Sequence, residues 1–168
     1  IKSNYQNQGL ALSKHFRVLG WIMKNVLLIN GPNLNLIGAR ETDIYGNISI
    51  GDIKNECIIE GKENNINIDF RQTNSEGEII NWIHEVNDNF DGLIINPAGY
   101  THTSIAILDS LKTIKKPKIE IHLSNIYSRE EYRKKSITSE AMNGLICGFG
   151  KNGYILSILA IKELIENK

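Results

Sequence analysis

The sequence predicts an α/β fold in which a five-stranded parallel sheet lies between layers of helices. Three observations carry this reading. Apolar runs of strand length recur along the chain, and segments with helical spacing separate them. Four of the runs end in clusters of polar, reaction-capable residues. Val26–Ile29 leads into Asn30-Gly-Pro-Asn33, and Ile66–Phe70 into Arg71-Gln-Thr-Asn74. Leu93–Ile95 leads into Asn96-Pro-Ala-Gly-Tyr-Thr-His102, and Pro117–Leu123 carries Glu120-Ile-His-Leu-Ser-Asn125. Alternating strands and helices build a parallel sheet with right-handed crossovers. All carboxyl ends then lie on one side, where ligands bind, so the four clusters are expected to converge on one crevice.

Taken in order, strand one is Asn25–Asn30, followed by a Gly/Pro/Asn-rich loop through Gly46. Ser49 is the N-cap of a helix over Ile50–Glu63, with Ile50, Ile53, Cys57 and Ile58 at helical spacing. Strand two is Ile66–Arg71. Ser75 caps a helix over Glu76–Asn87, with Ile79, Ile80, Ile83 and Val86 on one face and Glu76 and Glu78 in its first turn. Strand three is Gly92–Asn96, and helix three is Thr101–Ile114, stopped by Lys115-Lys116-Pro117. Strand four is Lys118–Leu123, with a short helical piece from near Ser128. Strand five is Gly144–Gly148, and a last helix over Gly153–Glu166 closes the domain. The commonest arrangement for this pattern is a flavodoxin-like three-layer sandwich with strand order 2-1-3-4-5.

Composition bounds the function. The chain has 168 residues, which suits one domain with a full core. Lys+Arg 19 balance Asp+Glu 19, so no net charge argues for nucleic acid or an anionic membrane as partner. No run of about 18 apolar residues predicts a membrane span. Cys57 and Cys147 read as two buried free thiols of a cytoplasmic protein. Ile1–Gly20 shows no clean period, and Met23-Lys24 directly precedes the first strand. Residues 1–22 therefore read as a non-native leader before a single domain over 23–168. A signal peptide fits poorly, because Lys14, His15 and Arg17 break its apolar core.

The chemistry concentrates in three places. The loop after strand one is longer than the usual ~2–6 residues of such turns. A long loop at the ligand edge suits a lid, and this one carries Arg40 and Tyr45. The GxxxxGK[ST] and GxGxxG spacings are absent, so nucleotide binding is not indicated. After strand three, Pro97 and Gly99 make the turn and Thr101 caps the helix, which puts His102 in a first helical turn facing the crevice. There the helix dipole disfavours added positive charge. Strand four presents Glu120 and His122 on one face at period two, with Ser124 next in register. The backbone N–H groups of Leu123 and Ser124 suit a carboxylate if they form a nest. Arg129 and Arg133, at i and i+4, suit an anionic or polyhydroxylated ligand. His15 and His84 receive no role, with His84 expected to face solvent. No residue spacing matches a zinc or magnesium site, so no metal is expected.

These motifs resemble the type II 3-dehydroquinate dehydratases of the shikimate pathway. The matching stretches are LINGPNLNLIGARETDIYG at 28–46, RQTNSEG at 71–77, IINPAGYTHTS at 94–104, IEIHLSNIYSREEYRKKS at 119–136 and GLICGFGKNGY at 144–154. The resemblance implies reversible anti dehydration of 3-dehydroquinate to 3-dehydroshikimate through an enolate, with no Schiff base, metal or other cofactor. It implies that Tyr45 is the base at C2, with Arg40 beside it, and that Asn33 binds a water at the enolate oxygen. It makes His102 the acid for the C1 hydroxyl. Asn96, His122 and Arg133 then bind substrate hydroxyls, and the amides of Leu123 and Ser124 hold the carboxylate. Asp109 matches an aspartate supplied to a neighbouring subunit, Arg129 an arginine of the lid region, and Glu120 an acidic residue near the site. The family's assembly, four trimers in a homododecamer, is implied in the same way. The alternative is a non-catalytic flavodoxin-like module. Its flavin version wants a Ser/Thr/Gly loop where this chain has Gly31-Pro-Asn-Leu-Asn35. Its phosphoacceptor version wants acidic strand ends where this chain has Asn30 and Asn96.

Overall fold

A computed structural model describes residues 23–38 and 48–167; the expected leader, Arg40 and Tyr45 lie outside the described residues. The strands are β1 (Lys24–Asn30), β2 (Ile66–Gln72), β3 (Gly92–Asn96), β4 (Lys118–His122) and β5 (Gly144–Cys147). They pair in parallel in the order β2-β1-β3-β4-β5, as expected. The helices are α1 (Ile50–Glu63), α2 (Glu76–His84), α3 (Val86–Asn89), α4 (Ile105–Lys112) and α5 (Asn152–Glu166).

The period-two alternation of each strand sends its side chains into two separate cores. Val26 and Leu28 of β1, Ile94 of β3 and Ile119 and Ile121 of β4 pack against Ile53 and Cys57 of α1 and Tyr154, Ile158 and Ile161 of α5. Leu27, Ile29, Leu93 and Ile95 turn the other way, onto Ile79, Ile83, Val86, Ile107 and Leu111 from α2, α3 and α4. Both faces of the central strands are covered, which is why β1 and β3 read as unbroken apolar runs. α1 starts where Ser49 predicts. Ser49 Oγ accepts from the Asp52 amide at 3.1 Å, while Asp52 accepts from the Ser49 amide at 2.9 Å.

Four expectations need correction. The helix predicted over Glu76–Asn87 breaks at Glu85. Glu85 binds the Arg71 guanidinium at 2.9 Å, and Asn87 binds the Thr113 carbonyl and the Lys115 amide. The helix predicted from Thr101 begins at Ile105, capped by Ser104, whose Oγ accepts from the Ile107 amide at 2.9 Å. Thr101 instead turns its hydroxyl inward. His102 therefore ends a 3₁₀ turn, Ala98–His102, rather than opening an α-helix, and the dipole argument for it lapses. The segment after Ser128 forms 3₁₀ turns, Ile126–Ser128 and Glu131–Arg133, in place of a helical piece. Cys57 is buried, and burial, with Glu56 adding to it, pushes its thiol up to about 12. Cys147 is only half-buried because β5 is the sheet edge.

The loops leaving β1 and β3 cross in close contact. The Gly31 amide donates to the Asn96 carbonyl at 2.8 Å. A Cβ on Gly31 would lie 2.6 Å from the Pro97 carbonyl oxygen and 2.8 Å from its carbon. Gly31→Ala should therefore cost about 1–3 kcal/mol, the range for overpacking a tight site, and lower Tm by several degrees in a thermal melt. Gly77→Ala, where a Cβ meets nothing within 4 Å, should leave Tm unchanged or slightly raised.

Candidate active site at the carboxyl edge of the sheet

The carboxyl ends of β1, β3 and β4 open into one cavity of about 360 Å³. The β1 loop contributes Pro32, Asn33, Leu34, Leu36 and Ile37; the β3 loop contributes Asn96, Ala98, Gly99 and His102. The β4 end contributes His122, Leu123, Ser124 and Ile126, with Arg129 and Arg133 beyond. Asn33, Asn96, His102, His122, Leu123, Ser124, Arg129 and Arg133 are thus brought together around one cavity. Asp109 is not: it lies exposed on α4, away from this cavity.

The cluster after β2 does not line the cavity either. It supports the wall from behind. Asn74 Oδ1 accepts from the Asn33 amide at 2.9 Å, and Gln72 reaches the Gly31 carbonyl at 3.3 Å. Tyr100 donates to the Asn74 carbonyl at 3.1 Å. Arg71 is held by Asp69 at 2.7 Å and by Glu85 at 2.9 Å, and its guanidinium lies over Trp82 and Phe90. Asn33 itself adopts a left-handed backbone with φ 66°, a conformation asparagine tolerates well.

Behind the wall sits a fully buried carboxylate, Glu120. Its Oε1 accepts from Thr101 Oγ1, Ser136 Oγ and His122 Nε2, each at 2.7 Å, and its Oε2 accepts from Thr138 Oγ1 at 2.6 Å. Burial alone would push this carboxyl up. The hydrogen bond and charge of His122, with the hydroxyls of Thr138 and Thr101, outweigh burial and hold it below the usual carboxylate range. Sequence reasoning placed Glu120 and His122 together but missed the hydroxyls. Their signal is faint: Ser136 and Thr138 alternate with Ile137, so both turn to one side.

The two cavity imidazoles are held differently. His122 Nε2 donates to the carboxylate, so its tautomer is set by a charged partner. His102 Nδ1 lies 2.7 Å from the Lys135 carbonyl, which only accepts, so this nitrogen carries the hydrogen. At the mouth, Arg129 Nε lies 3.5 Å and Arg133 Nε 3.2 Å from the same Glu130 carboxylate. Two guanidiniums against one carboxylate leave the mouth positive. Among the described residues, no group of three or more His, Cys, Asp or Glu side chains is placed to hold a metal. No described helix is long and apolar enough to cross a membrane.

Comparisons agree with the geometry. The model of the family described as dehydroquinase class II matches residues 24–162. A 3-dehydroquinate dehydratase of Clostridium botulinum is 52% identical over 147 residues, covering 87% of this chain and 100% of that protein. A 3-dehydroquinate dehydratase of Agrobacterium fabrum is 46% identical over 143 residues, covering 84% and 99%. The crystal structure of a type II dehydroquinase from Propionibacterium acnes superposes with TM-score 0.81 at 40% identity, over 83% of this chain and 97% of that one. The chain belongs to the class II dehydroquinase family.

Proposed function

We propose that this class II dehydroquinase removes water from 3-dehydroquinate through an enolate, with Tyr45 as base and a cavity histidine as acid. The base takes the C2 proton, and the electron pair of that bond moves onto the C3 carbonyl oxygen. Collapse of the enolate forms the C1–C2 double bond and expels the C1 oxygen, which leaves as water once the acid protonates it. An unperturbed tyrosine titrates near ~10, so Tyr45 needs a positive neighbour, and Arg40 on the same loop is the candidate. Asn33 holds the water at the enolate oxygen. Asn96 and Arg133 take substrate hydroxyls, and the amides of Leu123 and Ser124 take the carboxylate.

The observation that carries the reading is the His122–Glu120 pair on the wall of a donor-rich cavity. The resemblance assigns the acid to His102 and hydroxyl binding to His122. The geometry favours the reverse. Glu120 balances the charge of a protonated His122, whereas His102 meets a neutral carbonyl. His102 then serves as a hydroxyl ligand. Asp109 is exposed on α4, which suits its proposed place in a neighbouring subunit's site within a dodecamer of four trimers. Two free thiols suit the cytoplasm.

Formation of the conjugated enone, followed by its ultraviolet absorbance with 3-dehydroquinate as substrate, tests the activity directly. Tyr45→Phe should nearly abolish kcat while substrate still binds; retention of most of kcat removes Tyr45 as base. His122→Ala should lower kcat by the ~10²–10⁴-fold typical of a general acid, and His102→Ala should act mainly on KM. The opposite split returns the acid to His102.

Arg40→Ala should move the basic pKa of the free enzyme's kcat/KM profile upward by about 1–3 pH units. An unmoved profile would confine Arg40 to gripping substrate.

Stability should depend on pH through Glu120. Because the folded Glu120 carboxyl lies below its unfolded range, its contribution is complete above about pH 4.3 and is lost as pH falls through the lower folded value. Glu120→Gln should be less stable near neutrality and should lose less stability than wild type on acidification, as read by urea midpoints. Parallel pH curves for the two proteins would contradict the ionised state.

A further inference from the structure

A chain of hydrogen bonds runs from β2 to the cavity through α5, and each link has a fixed direction. Asn30 Nδ2 donates to the Arg71 carbonyl at 3.1 Å, which only accepts. That turns the amide so that its Oδ1 faces Tyr154, and Tyr154 Oη donates to it at 2.7 Å. At the other end, the Ala98 amide only donates, and it takes Asn96 Oδ1 at 3.2 Å. Asn96 is thereby turned so that its Nδ2 donates to Tyr154 Oη at 3.1 Å. The Tyr154 hydroxyl, having spent its one hydrogen on Asn30, is available as acceptor. Asn30 and Tyr154 are fully buried and Asn96 is 2% exposed, so water cannot readily replace any member.

Asn96 has one Nδ2 hydrogen left, and Asn96 lines the cavity. We propose that Tyr154, which does not line the cavity, is a positioning residue that acts through Asn96. It locks the amide so that an N–H, and never the carbonyl, meets the ligand. The site then selects an oxygen acceptor at that point, and the relay converts a residue of the last helix into a determinant of substrate recognition. This rests on the reading that Asn96 binds a substrate hydroxyl. Without the tyrosine oxygen, Asn96 loses the partner that holds its amide nitrogen, and the side chain gains freedom to turn about Cβ–Cγ.

Three measurements on the full chain test this. Tyr154→Phe keeps the ring and removes the hydroxyl. It should raise KM for 3-dehydroquinate about tenfold, the scale of one hydrogen bond, with kcat changed much less. In an Asn96→Ala background the same substitution should change KM little. An equal rise in both backgrounds would make Tyr154 merely structural and overturn the relay. In the ligand-free protein, the Asn96 side-chain amide hydrogens should exchange slowly in wild type and faster in Tyr154→Phe by NMR. Unchanged exchange together with an unchanged KM in a folded variant would also overturn it. If Tyr154→Phe fails to fold, Asn30→Ala cuts the relay one link earlier, and the same dependence on Asn96 is expected. If the wild-type chain does not turn over 3-dehydroquinate, the functional reading falls, and amide exchange alone decides the relay.

Discussion

Burial of the sheet on both faces is the constraint from which the site follows. β1 and β3 place every residue from Val26 to Asn30 and from Gly92 to Asn96 out of solvent. Neither face has room for a ligand, so chemistry is confined to the edge where the strands end. There the chain changes abruptly from aliphatic to polar while still buried. Asn30, Asn96, Glu120 and His122 are all at most 6% exposed. A buried polar group without a partner costs roughly 1–3 kcal/mol, so each must be satisfied internally. The tight crossing at Gly31 and Pro97 brings two of these strand ends close enough to do so.

Glu120 is the extreme case. Effective desolvation of one ion costs several kcal/mol, and hydrogen bonds to charged groups contribute about 1.5–3 kcal/mol each. One hydroxyl could not hold the charge; three hydroxyls and an imidazole can. Thr101, Ser136 and Thr138 come from two separate loops, so the carboxylate also ties the turn after β3 to the segment that follows Arg133. The same bonds that make the charge tolerable hold His122 in place. Stability and orientation of the site are therefore one set of bonds.

Strand order 2-1-3-4-5 was only the commonest arrangement for this pattern, whereas the strands, their helical layers and the cavity-lining side chains from β3 and β4 were legible in the sequence itself. Each depends on strong, local regularities: period-two aliphatic runs, the Ser49 cap and polar residues placed at strand ends. What escaped depends on competition across the fold. Glu76–Asn87 has the pattern of one helix, yet Arg71 and Thr113, distant in sequence, draw Glu85 and Asn87 into other bonds. Thr101 and Ser104 can both cap by residue type, and the buried Glu120, with Ser136 and Thr138, engages the Thr101 hydroxyl. Asn74 looked like a site residue because it ends a strand run. It stands one strand further from the cavity, where a polar side chain serves a backbone amide instead.

The cavity's polarity narrows what it can hold. Asn96 is turned to offer an N–H, and the arginines carry donors only. The carboxylates nearby are already engaged: Glu120 by four donors, Glu130 by two guanidiniums. Ligand donors set against Asn96 and the arginines would leave donors facing donors, at roughly 1–3 kcal/mol for each one buried without a partner, whereas His102 Nε2 is left to accept. A compact ring bearing a carboxylate, a carbonyl and several hydroxyls supplies acceptors in every direction and a negative charge for the positive mouth. Selectivity thus comes as much from what the Asn96 and arginine side of the wall cannot accept as from what it binds. That follows from satisfying the strand-end side chains before any ligand arrives.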